Sequence, residues 1–271
     1  MKVKNKKRVG LEIRCNNLLG AIKRRAWLFL MPAAMMVCGS LGHAAIINGV
    51  DFTTVYTGTS LPENATPAWT ATVNGTTSIV TPNSPSAGIL TIDTSTDYVY
   101  YSRIWSASTD TTLEISMQVD SVYTGNYAST SLYFTNGTKD YRIFFAPTAI
   151  LVGDIGGTPA APTGDFATYS FDTTGAFNTY RVTLESGSMS LYVNNSTTAA
   201  VSGYTGTAND TSNVVYFGDV SGTVAGVSEW EYLAFTNAGA YAPVPEPTSL
   251  GLFVAGLATV LLTRRRKQRL A

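Results

Sequence analysis

Between Ala45 and Tyr241 the chain shows no helical period but a clear two-residue one, and this alternation limits the possible folds more than any other feature. Leu113, Ile115, Met117 and Val119 alternate with Thr112, Glu114, Ser116 and Gln118, the pattern of a strand with one buried face. Tyr180, Val182 and Leu184 precede Glu185-Ser186-Gly187-Ser188, and Met189, Leu191 and Val193 follow it, which predicts a hairpin with both apolar sets on one side. Asn136-Gly137-Thr138-Lys139, between 129–135 and 140–145, predicts a second hairpin, because Asn-Gly supplies the positive φ of a tight turn. Further strands are expected at Ile46 to Phe52, Ile89 to Asp93, Tyr98 to Trp105, Ala149 to Gly153, Phe166 to Phe171, Val214 to Phe217 and Val227 to Phe235. So many short strands jointed by Gly, Asn and Asp predict an all-β domain of two packed antiparallel sheets. A β-helix would show a repeat, and none is visible. Trp69 and Trp230 are expected in the core. The polar loops 82–87, 156–165 and 197–213 are the expected places for function.

The two ends differ from this middle. Basic residues from Lys2 to Arg25 precede an apolar run from Ala26 to Val37, and Gly42-His43-Ala44 places small residues where a signal peptidase reads them. Residues 1–44 are therefore expected to be a signal peptide cut between Ala44 and Ala45, the alternative being an uncleaved N-terminal anchor. At the other end, Val244-Pro245-Glu246-Pro247 leads into an apolar stretch at 248–263, expected as a single short transmembrane helix. Arg264, Arg265, Arg266, Lys267 and Arg269 then form a basic tail that resists translocation. The two prolines hold Glu246 extended and accessible outside the bilayer. Residues 45–240 remain as the sandwich domain and 241–247 as its linker to the membrane.

Without its ends the chain has a different chemistry. Residues 45–244 carry sixteen Asp and Glu against only Arg103, Lys139, Arg142 and Arg181, a net charge of −12. Such a surface repels nucleic acid and anionic lipid. His43, Cys15 and Cys38 all fall before Ala45, so the domain has neither imidazole nor thiol. Triads built on His or Cys are excluded, zinc loses its usual ligands, and no disulfide can staple the fold.

The Pro-Glu-Pro tripeptide, short apolar segment and basic tail resemble the PEP-CTERM sorting signal of Gram-negative bacteria. That resemblance implies recognition by an exosortase-type membrane enzyme acting near the tripeptide, a transient inner-membrane anchor, and delivery to the cell surface or an exopolysaccharide-rich biofilm matrix. A second resemblance lies within the domain. Phe177-Asn-Thr-Tyr-Arg-Val-Thr-Leu-Glu-Ser-Gly-Ser-Met-Ser-Leu-Tyr-Val-Asn resembles the paired strands of laminin-G-like and concanavalin A-like jelly rolls. Phe217-Gly-Asp-Val-Ser-Gly and Glu229-Trp-Glu-Tyr-Leu-Ala-Phe resemble the final strands of that superfamily. Its members often end the hairpin in Asp-Gly, where this chain has Asn194-Asn195.

Glycosidases of the superfamily place carboxylates on alternate residues of one strand. Glu229 and Glu231 have that spacing, about 7 Å apart, and Glu114 lies on another strand. Two of the three expected carboxylates are present, and an acidic solvent face explains them better. Carbohydrate binding is assigned to Trp105, Tyr127 and Tyr204, whose rings could stack on sugars or plug the core. Structural Ca²⁺ could draw on Asp51, Asp154, Asp165, Asp210 and Asp219, although no loop motif specifies it. The Asn-x-Ser/Thr triplets at Asn64, Asn74, Asn136, Asn194, Asn195 and Asn209 read as turns. The expectation is an exported, non-enzymatic envelope or matrix protein that binds polysaccharide. The alternative is a glycan-cleaving enzyme using Glu229 and Glu231.

Overall fold

A computed structural model of the protein describes residues 45–73, 83–86, 88–94, 98–106, 109–122, 130–153, 156–158, 161–163, 166–208, 212–219 and 226–244. The expected signal segment 1–44, Pro245 to Pro247, the membrane helix 248–263 and the basic tail lie outside them. Among the described residues no helix is long and apolar enough to cross a membrane.

The strands in chain order are β1 (Ala45–Ile47), β2 (Val50–Phe52), β3 (Thr54–Thr57), β4 (Thr70–Val73), β5 (Asn83–Ser86), β6 (Ile89–Asp93) and β7 (Val99–Ile104). They continue with β8 (Thr111–Val122), β9 (Thr130–Thr135), β10 (Lys139–Ala146), β11 (Ala149–Gly153), β12 (Gly156–Thr158), β13 (Ala161–Thr163) and β14 (Phe166–Ser170). The last are β15 (Asn178–Glu185), β16 (Ser188–Val193), β17 (Val201–Tyr204), β18 (Thr207–Ala208), β19 (Val214–Gly218) and β20 (Gly226–Thr236). One sheet, here the front sheet, runs β14-β11-β10-β9-β19-β7-β4 with β18 on β10. The back sheet runs β17-β16-β15-β8-β20-β6-β5 with β3 on β20. Neighbours far apart in sequence pair antiparallel, as β19 does with β9 and β20 with β8. This is the jelly-roll sandwich that the strand pattern and the superfamily resemblance predict.

The alternation places the core. Leu113, Ile115, Met117 and Val119 are fully buried, as are Tyr180, Val182 and Leu184, which pair in register with Val193, Leu191 and Met189. The hairpin turn at Ser186-Gly187 has φ of 50° and 80°, the left-handed values that glycine adopts without strain. Phe217 is the hub of the aromatic core, with ring centroids at 5.8 Å from Tyr56, 5.1 Å from Trp69, 5.4 Å from Tyr101 and 5.0 Å from Trp230.

Three expectations change. The stretch Ile46 to Phe52 is not one strand but the β1–β2 hairpin, turned at Asn48-Gly49 with φ of 47° and 80°. The polar face of β8 is not open: Thr112 and Glu114 are fully buried and Ser116 nearly so. The hairpin explains this, since Val50 and Phe52 pack with Ala234 on the outside of the back sheet. The C-terminal linker adds to the cover, because Thr112 Oγ1 donates to the Gly239 carbonyl at 2.8 Å and accepts from the Tyr241 N–H at 2.8 Å. Finally, the loops expected at 82–87, 156–165 and 197–213 contain β5, the β12–β13 hairpin, and β17 with β18.

Candidate functional site

Glu229 and Glu231 lie on β20 and point away from the core, both half-buried. Their common face follows from alternation, since they flank the buried Trp230; a bulge comes next, where Trp230 pairs with Met117 and Tyr232 with Ser116, so Glu231 has no partner in that ladder. Gln118 Nε2 donates to Glu229 Oε2 at 2.5 Å, and Ser116 Oγ donates to Glu231 Oε2 at 2.5 Å. Each carboxylate thus has a neutral partner, and two carboxylates on one face are the minimum for glycoside hydrolysis.

Glu114 continues this polar stripe under cover. Arg181 Nε donates to Glu114 Oε2 at 2.6 Å, with the side chains 2% and 0% exposed. Glu114 Oε1 also accepts from Asn48 Nδ2 at 2.7 Å and from the Tyr232 hydroxyl at 2.8 Å. Burial, with the Glu114 charge beside it, pushes the Tyr232 phenol well above its usual range. Arg181 donates further to the Asn48 carbonyl at 3.1 Å and the Tyr241 carbonyl at 3.4 Å. Glu114 is therefore a structural anchor and no companion of Glu229 and Glu231.

The expected sugar-binding residues do not come together. Trp105 is 4% exposed, packs edge-on to Phe134 and Phe235, and donates its indole N–H to the Thr135 carbonyl at 2.8 Å, so no sugar face can reach it. Tyr204 is half-buried, shares a hydrogen bond with Thr207 at 3.1 Å and packs edge-on to Tyr141. Tyr127 lies outside the described residues, as do Asp154, Asp165 and Asp210. Asn194, at the position where related hairpins carry Asp-Gly, has its amide committed to the start of β15, accepting from the Thr179 N–H and donating to Asn178 Oδ1. Asp51 lies on β2 of the separate β1–β2 hairpin, and Asp219 follows β19 of the front sheet. Among the described residues no cluster of three His, Cys, Asp or Glu is placed to hold a metal.

A feature missed in the sequence lies on the outer face of the front sheet. Tyr98 stacks on Tyr100 at 6.2 Å and 7°, Tyr100 meets Tyr216 at 5.7 Å, and Tyr216 meets Tyr133 at 5.0 Å. The Arg142 guanidinium closes the row, 5.2 Å from the Tyr133 ring centre. Register explains the order, with Tyr216 opposite Tyr133 and Tyr133 opposite Arg142. Arg142 Nη2 also donates to Asp140 Oδ2 at 3.1 Å, and that carboxylate is 1% exposed, with Oδ1 buried and unpartnered. All four tyrosines are half-buried. The signal was readable: each of Tyr100, Tyr133 and Tyr216 sits next to a residue bound for the core, so alternation sends it outward.

Residues 243–267 match the family described as the PEP-CTERM protein-sorting motif. The chain carries a PEP-CTERM sorting signal. That signal marks the protein for export, membrane-associated sorting in Gram-negative bacteria and processing by an exosortase-type membrane enzyme. Of the PEP-CTERM match, Pro243 is buried and Val244 is exposed; the rest lies outside the described residues. No curated protein matches the chain in sequence.

Solved structures similar to this chain include a glycosyl hydrolase family protein from Mycobacterium fortuitum, at 13% identity and TM-score 0.45, covering 69% of this chain and 100% of that one. A lichenase (beta-1,3-1,4-glucanase) from a mouse hindgut metagenome shares 10% identity at TM-score 0.43, covering 70% of this chain and 98% of that one. Bacillus licheniformis beta-glucanase shares 12% identity at TM-score 0.40, covering 62% of this chain and 91% of that one. The expectation of a non-enzymatic domain is corrected here, since the structures it resembles include a glycosyl hydrolase family protein and two glucanases. Loss of His and Cys removes triads and thiolates but leaves paired-carboxylate hydrolysis intact.

Proposed function

We propose that the exported domain engages a polysaccharide along the tyrosine row of its front sheet, after a signal peptidase removes 1–44 and exosortase processing delivers it to the cell surface or matrix. The row carries this reading: four rings in contact across three strands offer apolar faces and phenolic hydroxyls, the combination that packs on sugar rings while bonding their hydroxyls. Full-length protein is expected to be retained on the producer's own exopolysaccharide, and replacing Tyr133 and Tyr216 together by Ala should weaken retention about tenfold or more. Unchanged retention would refute the reading. Replacing Glu246 should leave the protein in the inner membrane; normal release of that variant would count against recognition at the tripeptide.

A second reading, glycan cleavage by Glu229 and Glu231, is favoured by their place on one face of β20, each carboxylate held by a neutral donor. Release of reducing ends from the same polysaccharide, abolished in Glu229→Gln and Glu231→Gln, supports it. Absence of release by the unaltered protein sinks it.

A further inference from the structure

Resting on the tyrosine row as the binding face, we infer that its ligand is an uncharged polysaccharide, held along the chain across several sugar units, and not an acidic one. A polymer of uronates, sulfates or pyruvate ketals needs cations, and the one cation at the row already has a carboxylate for its partner. Only four cations face sixteen carboxylates between 45 and 244. Arg181 is buried against Glu114. Lys139 Nζ holds the Thr205 carbonyl at 2.8 Å. Arg103 lies half-buried, 6.0 Å from the Trp69 ring centre and 5.7 Å from that of Phe235.

Arg142 is the one cation in the row, and Asp140 meets its charge from a buried position, where the attraction is little screened. The field at the row is thus that of a −12 domain, which keeps anionic chains away. The rings themselves are indifferent to ligand charge and suited to apolar sugar faces. Their extent matters too: contact passes from Tyr98 through Tyr100 and Tyr216 to Tyr133, with centroid steps of 6.2, 5.7 and 5.0 Å. This is a track for consecutive rings of one chain, and no pocket for a terminal sugar is needed.

Affinity electrophoresis of the full-length protein tests this in native gels containing hydroxyethyl cellulose, a neutral glucan, or alginate, a polyuronate. Retardation is expected in the glucan gel, insensitive to salt, and absent in alginate. Tyr133→Ala with Tyr216→Ala should weaken glucan affinity about tenfold or more, while Tyr133→Phe with Tyr216→Phe, which keeps the rings, should retain most of it. Thermal melts of the variants guard against a folding defect. Retardation by alginate that is lost with the tyrosines, with none by the glucan, would overturn the uncharged-ligand inference and leave the binding face standing. Glucan retardation unaffected by loss of the tyrosines, in variants that melt normally, would overturn the binding face itself, as would no retardation in either gel.

Discussion

Arg181→Met is expected to destabilise the domain far more than an ordinary surface change. The substitution removes a guanidinium that is 2% exposed and leaves the fully buried Glu114 carboxylate without its counter-charge. Breaking such a pair by deleting one partner costs about 3–5 kcal/mol. It also strands the Asn48 and Tyr241 carbonyls that Arg181 served. Glu114→Met should cost a similar amount, orphaning the Asn48 amide and the Tyr232 hydroxyl. The double variant, Arg181→Met with Glu114→Met, removes both charges together, so its loss should fall short of the sum of the single losses by about 2 kcal/mol or more. Urea unfolding followed by tryptophan fluorescence measures all four corners of the cycle. Additivity within about 0.5 kcal/mol would refute the claim that the pair acts as one desolvated unit.

Two other outcomes are expected. Phe217→Ala opens a cavity among Tyr56, Trp69, Tyr101 and Trp230, and should cost about 3–5 kcal/mol in the same unfolding assay. The Asp172 carboxyl is held below its ordinary value by the Thr174 hydroxyl and then by the Thr174 N–H, both donating to Oδ1. A depressed carboxyl contributes stability that is present above its unfolded value and lost as the pH falls through the folded one; a carboxyl-detected NMR titration should show Asp172 titrating low, and rising in Thr174→Ala.

Much of the fold could be read from alternation. The registers of β15 with β16 and the burial of the apolar side of β8 follow directly from it. What it could not supply was the cover over the other side of β8. Burial of Thr112 and Glu114 depends on the distant β1–β2 hairpin and on the linker, and a period of two in one strand carries no information about a third layer. Even so, Asn48-Gly49 was the same turn signal used at Asn136-Gly137, and reading it would have split the first strand. The front-sheet row was missed for another reason. Aromatics in polar loops look available, whereas Tyr100, Tyr133 and Tyr216 sit inside apolar strands and look like core until their phase is counted. Trp105 shows the reverse: placed at a strand end it looked available, yet its indole closes the core against Thr135.

Gly239 and Tyr241 are fastened to Thr112 and Arg181, and Pro243 is buried. A cut near Pro245 to Pro247 would fall beyond these fastenings in the chain. Release by such a cut, as proposed above, would leave the linker's hold on the back sheet in place. A cut before Gly239, by contrast, would strip the lid from a buried guanidinium.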